Sequence, residues 1–106
     1  MSKFQDEGGV ATESKASEKL ERPKLYSVIL HNDNYTSMEF VVDVLRAIFY
    51  RSAAEAEQIM MEVHKKGRGV AGTYPREIAE MKLKKTEIAA REREYPLHLT
   101  MEPEAE

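Results

Sequence analysis

The sequence predicts an α+β domain in which three helices cover one face of a small, mainly antiparallel three-stranded sheet. The elements run β-α-α-β-α-β behind a flexible N-terminal extension. Three observations carry this prediction. Runs with strand character open and close the patterned region, at Lys24 to His31 and at Leu97 to Glu102. Between them, Thr36 with Glu39 and Ser52 with Glu55 have capping-box spacing, and each pair precedes apolar residues at helical period. Finally, 106 residues without an internal repeat can bury one modest core. Amphipathic helices need a surface to cover, and a small sheet supplies one.

Residues 1 to 22 mix Glu, Lys, Ser, Gly and Ala, with Phe4, Val10 and Leu20 as the larger apolar groups. Such a segment buries too little surface to offset its ordering entropy and reads as a flexible tail. The folded domain is expected over 23–102. After Pro23, the Leu, Tyr, Val and Ile of Lys24 to His31 form a short apolar run bounded by turn signals, a strand covered at least partly on both faces. Thr36 is the expected N-cap of the first helix, Ser37 to Tyr50, with Met38, Val41, Leu45 and Ile48 as its apolar stripe. Ser52 caps the second, where Ala56, Ile59, Met60 and Val63 mark one face and Gly67 the end.

Gly67, Gly69 and Gly72 bracket a Val-Ala segment that reads as a strand or extended connection whose backbone must pass close to something. They lack the G-x-x-x-x-G-K-[ST] pattern of a phosphate loop. Pro75 suits the first helical position, and the third helix carries Ile78, Met81 and Ile88 on one side. Pro96 ends the polar run Arg91 to Glu94. Leu97, Leu99 and Met101 then alternate with His98, Thr100 and Glu102 as in a half-buried strand, and 103–106 form a short acidic tail.

Composition excludes several functions. Net charge is -3 with both signs mixed along the chain, so no nucleic-acid footprint is present. There is no cysteine, hence no disulfide, thiolate nucleophile or thiolate metal site. No apolar run approaches the roughly 18 residues of a membrane span, and the start of the chain lacks a signal-peptide core. A cytoplasmic protein is expected, with no membrane partner, and the Asn34-Tyr35-Thr36 match to a glycosylation acceptor is read as coincidence. Asp33 with His64 imitates part of a hydrolase dyad, but no nucleophile motif accompanies it. His31, His64 and His98 match no metal-ligand signature. No catalytic residue, metal or cofactor is therefore expected.

The chemistry concentrates where the first strand meets the first helix. Asn32, Asp33 and Asn34 offer side-chain oxygens just outside the helix, beside its emerging apolar face. Acceptors beside an apolar surface suit a ligand with one cationic and one apolar end. His64 follows Met60 by four positions and projects from the same side of its helix. Each of these residues also has an ordinary structural reading: Asn and Asp close turns on their own backbone, Met and Val at helical spacing fill cores, and a histidine near a helix end favours the dipole.

The runs V-I-L-H-N-D-N-Y-T-S-M-E-F-V-V-D-V-L, M-M-E-V-H-K-K-G-R-G-V-A-G and E-I-A-E-M-K resemble the ClpS family of protease adaptors from about Lys24 to about Glu102. The resemblance implies a monomeric adaptor that binds N-terminal Leu, Phe, Tyr or Trp of N-degron proteins. It would deliver them to the N-terminal domain of a ClpA-type AAA+ unfoldase of the ClpAP protease. It further implies that Asn32, Asp33, Asn34 and His64 hold the α-amino group, and that Thr36, Met38, Val41, Met60, Val63 and Leu97 line the side-chain pocket. Glu77 and Lys82 would dock the unfoldase, with the N-terminal extension taking part in delivery. Asn34 departs from the Asn-Asp-Asp of many relatives, keeping an acceptor oxygen but losing a charge. Pro75 stands where a Ser or Thr cap is common, and His31 where an aliphatic residue is. The alternative is a peptide- or protein-interaction module of the same fold without N-degron specificity.

Overall fold

The first strand of the computed structural model, which describes residues 23–104, is β1, Leu25–His31. Its consecutive Val28, Ile29 and Leu30 are all essentially inaccessible, and successive side chains point to opposite faces, so both faces are covered. β1 is accordingly the central strand. It pairs antiparallel with β2, Arg68–Pro75, on one edge and β3, His98–Pro103, on the other. Val28 and Leu30 join Ala71 and Leu99 in the core shared with the helices.

Ile29 points the other way. Arg68 opposes His31 and Glu102 opposes Ser27 across β1, so the pair between Arg68 Nη2 and the Glu102 carboxylate, at 3.0 and 3.1 Å, runs diagonally over Ile29. A 3.1 Å hydroxyl–hydroxyl bond between Ser27 and Thr73 lies beside it. The register shifts between Val28 and Ile29, which oppose Gly72 and Val70, leaving Ala71 as the extra residue of a bulge. Its carbonyl accepts from Arg51 Nε at 2.8 Å. The sequence expectation for Gly72 has a concrete cause, since the Tyr74 ring lies where a Cβ would stand. The expected extended segment is thus a full strand.

α1, Met38–Ala47, is capped by Ser37 rather than Thr36. The Thr36 hydroxyl and amide are both bound to Asp33, at 2.8 and 2.7 Å, so the next hydroxyl takes the cap and Ser37 Oγ accepts from Phe40 N–H at 3.0 Å. The helix also ends earlier than expected, with Ile48 at the C-cap and Tyr50 beyond it in a left-handed conformation. Lys82 Nζ donates to the Ile48 carbonyl at 2.7 Å, placing a cation at the negative helix end.

α2, Ala53–Lys66, has the expected capping box between Ser52 and Glu55, both bonds 3.1 Å. It ends at Gly67, whose φ of 90° is the left-handed conformation that favours glycine.

α3, Arg76–Glu92, departs from expectation twice. Pro75 occupies the N-cap position instead of the first turn. The helix also buries Ala79, Lys82, Thr86 and Ala90, whereas Ile78, Met81 and Ile88 are 41%, 47% and 52% exposed. The small Ala79, Thr86 and Ala90 let the helix approach all three strands closely, Lys82 runs inward to the Ile48 carbonyl, and the three larger apolar side chains are left outside. β3 runs through Pro103, and Glu104 N–H donates to the Leu25 carbonyl at 2.9 Å, so the sheet continues past the expected boundary at residue 102. All described strand pairs are antiparallel, with the helices on one face. No described helix is long and apolar enough to cross a membrane. The tail expected over residues 1 to 22 lies outside the described residues.

Candidate functional site

Four bonds fix the chain between β1 and α1. Asn32 N–H donates to the Gly67 carbonyl at 2.9 Å, tying the end of β1 to the end of α2. Asp33 Oδ1 accepts the amides of Tyr35 and Thr36, both at 2.7 Å, while Oδ2 accepts the Thr36 hydroxyl at 2.8 Å. This is a turn closed on a carboxylate, the local chemistry that Asp favours. Burial pushes the Asp33 pKa up, but the Thr36 amide, the Thr36 hydroxyl and the Tyr35 amide together outweigh it and hold the carboxyl below its ordinary value.

The turn faces the last turns of α2 across a cavity of about 240 Å³. At its rim stand the exposed Asn32, Asn34 and His64, with Asp33 half-buried between the asparagines. Its floor is apolar: Val41, Met60 and Val63 are 6%, 7% and 3% exposed. Thr36 lines the wall, and Met38, at 43% exposure, reaches over the edge from the first turn of α1. Gly69 lies against Val63 behind this floor, where a Cβ would come within 2.9 Å of Val63 Cγ2.

Nine of the residues singled out in the sequence thus surround one space. Leu97 does not join them. It is 8% exposed and packs within the core just before β3. Glu77 and Lys82 lie on α3, outside this cavity. Glu77 is exposed and borders a separate groove with Met81, Leu83 and Met101. Lys82 is 7% exposed, its ammonium on the Ile48 carbonyl and 4.4 Å from the centre of the exposed Tyr50 ring. Sequence reasoning placed Asp33 among the ligand-binding groups and missed its bonds to Thr36. Its signal was the Asp-x-x-Thr spacing within a turn.

The cavity is smaller than the roughly 300–1,000 Å³ of sites for drug-sized ligands, so it suits one large side chain. A floor without polar atoms and a rim of unprotonated oxygens and an imidazole fit an apolar group attached to a cation. Among the described residues no cluster of three His, Asp or Glu side chains could hold a metal ion.

The family model for ATP-dependent Clp protease adaptor protein ClpS matches residues 21–100. The ATP-dependent Clp protease adapter protein ClpS of Myxococcus xanthus is 51% identical over 102 residues, covering 96% of this chain and 95% of that one. Its counterpart in Lawsonia intracellularis is 54% identical over 85 residues, covering 80% and 78%. Among solved structures, Agrobacterium tumefaciens ClpS2 bound to L-phenylalaninamide has a TM-score of 0.75 at 44% identity, covering 78% of this chain and 100% of that one.

Proposed function

The chain belongs to the ClpS family of Clp protease adaptors, and from that premise we propose that it recognises proteins by a free, bulky hydrophobic N-terminal residue and delivers them to the ClpA unfoldase of ClpAP. The observation that carries this reading is a cavity with acceptors at its rim and an apolar floor. The ligand of the Agrobacterium relative, an amino-acid amide with an aromatic side chain, joins those two chemistries in one molecule.

An N-terminal ammonium has three N–H donors to satisfy. Asn32 Oδ1, Asn34 Oδ1 and an unprotonated nitrogen of His64 accept them at the rim, and the Asn32 amide nitrogen donates to the first peptide carbonyl. Asp33 acts at one remove. Its oxygens are occupied by Thr36 and Tyr35, so it frames the turn and contributes its charge to the local field. The side chain of residue one, Leu, Phe, Tyr or Trp, displaces water from Val41, Met60 and Val63, and Met38 packs over it. A residue branched at Cβ is stiff at χ1 and collides with that rim.

Delivery rests on α3. Glu77 faces the unfoldase directly, and Lys82 contributes by holding Tyr50 and the end of α1 beside it. The extension at residues 1 to 22 takes part in the same step. The chain acts as a binding protein without catalysis, in the cytoplasm. The relatives it matches carry the name protease adapter.

Fluorescence anisotropy with Phe-first peptides, free and N-acetylated, tests the reading. Acetylation removes the charge and all but one N–H, so at least one hydrogen bond to a charged group, about 1.5–3 kcal/mol, is lost and affinity falls tenfold or more. Equal affinities would make the protein a peptide-binding module without N-degron specificity.

A further inference from the structure

The sheet face turned away from the helices carries a pair of histidines that the peptide site does not use. His31 on β1 and His98 on β3 are direct partners in the antiparallel ladder, their ring centroids 5.0 Å apart and planes tilted by 38°. Residues alternate across a strand, and Leu30 and Leu99 face the core, so both imidazoles stand on the open side. Thr100, two residues along β3 on the same side, meets His31 Nε2 with its Oγ1 at 2.8 Å. In the tautomer whose Nε2–H donates to that hydroxyl, His31 Nδ1 keeps its lone pair. A hydrogen bond to the other ring nitrogen is how proteins orient histidine for metal binding.

The surroundings favour a neutral His31 ring. Burial lowers the His31 pKa first, His98 and Arg68 lower it further, and Glu102 opposes them. Arg68, facing from β2, has its guanidinium on Glu102 and does not reach for the imidazole. With metal–nitrogen bonds of about 2.0–2.1 Å, two ligand nitrogens stand up to about 4.2 Å apart. Ring centres 5.0 Å apart put that spacing within reach of a turn of the exposed His98 ring while Thr100 holds His31.

We propose that His31 and His98 form a surface site for one borderline divalent transition-metal ion of the zinc class, held by two imidazole nitrogens with water completing its shell. The ligand type sets the class: imidazole suits zinc, nickel and copper(II), whereas the chain has no thiolate for softer ions. Two protein ligands make the site reversible rather than structural. The ion ties the edge strand to the central strand one residue before Asn32, whose amide anchors the peptide cavity. This inference is independent of the peptide reading.

Zinc chloride titrated into the full chain, without peptide and followed by calorimetry, tests it. One ion per chain is expected, with affinity falling about a hundredfold per pH unit once both imidazoles must lose a proton. His31→Gln and His98→Gln each weaken binding more than tenfold, Thr100→Val weakens it about tenfold, and His64→Gln leaves it intact. Circular dichroism of each variant checks the fold. In the unsubstituted chain, copper(II) broadens the ring-proton resonances of His31 and His98 before those of His64. No zinc binding by the parent, unchanged affinity in either His→Gln strand variant, or first broadening at His64 would overturn the proposal.

Discussion

Asp33→Ala and Asp33→Asn separate framing of the turn from attraction of a cation. Alanine removes three bonds of 2.7–2.8 Å to the carboxylate, two of them to the half-buried Thr36 and one to the exposed amide of Tyr35. Bonds to a charged acceptor contribute about 1.5–3 kcal/mol when shielded from water, and less here because water reaches the turn. About 1 kcal/mol for each Thr36 bond and about half that for Tyr35 give a stability loss of about 2–3 kcal/mol, which a domain of ordinary stability survives. The unclamped turn must then be ordered by the ligand, so affinity for a Phe-first peptide falls by a similar amount, roughly 30- to 150-fold.

Asparagine keeps one acceptor for the amides and can meet the Thr36 hydroxyl with its N–H. Neutral bonds are about half as strong as charge-assisted ones, so about 1 kcal/mol and fivefold are expected. Urea denaturation and peptide anisotropy at low and high salt measure both quantities. If the asparagine variant binds as weakly as the alanine variant although its fold is more stable, and the difference from the parent vanishes in salt, the carboxylate attracts the ammonium directly and the framing argument is wrong. The sign with pH follows from the lowered pKa. The unfolded chain binds the proton more readily, so the clamp's stability is fully present above about pH 4 and is lost only as pH falls through the lower folded value.

Met38→Ala should narrow the ratio of dissociation constants for Leu-first and Val-first peptides from both ends. Met38 is already 43% exposed, so the fold loses only about 1 kcal/mol, and an unchanged ratio would remove it from specificity. Asn34→Asp should tighten binding of a free N-terminus by up to about 1–2 kcal/mol through a charged acceptor and leave an acetylated peptide unaffected, as anisotropy would read. Lys82→Met should destabilise the domain by about 1–3 kcal/mol in urea, because the Ile48 carbonyl loses its cationic donor, while peptide affinity stays near the parent value. A neutral effect on stability would mean water replaces the ammonium.

Local chemistry made much of this protein legible from its sequence. The Ser52 and Glu55 capping box and the Gly67 terminus are interactions between near neighbours, so their spacing alone locates α2. The alternation around Leu97 to Met101 and the continuous apolar run of β1 mark strands for the same reason. The cavity residues were reachable because a family resemblance singled them out; periodicity alone assigns Val41, Met60 and Val63 to a core.

Tertiary structure decided what depends on how closely elements approach. Helical spacing grouped Ile78, Met81 and Ile88, yet α3 turns Ala79, Thr86 and Ala90 inward, because at short range to the sheet a small volume fits where a larger one does not, and buries Lys82 because its ammonium meets the Ile48 carbonyl. Ile29 is inaccessible on the sheet face away from the helices, where Arg68 and Glu102, 34 residues apart, pair across the strand. Thr36 lost the cap to Ser37 because Asp33 had already bound its hydroxyl. In each case two partners competed for one position, and the sequence lists both while only the folded distances choose between them.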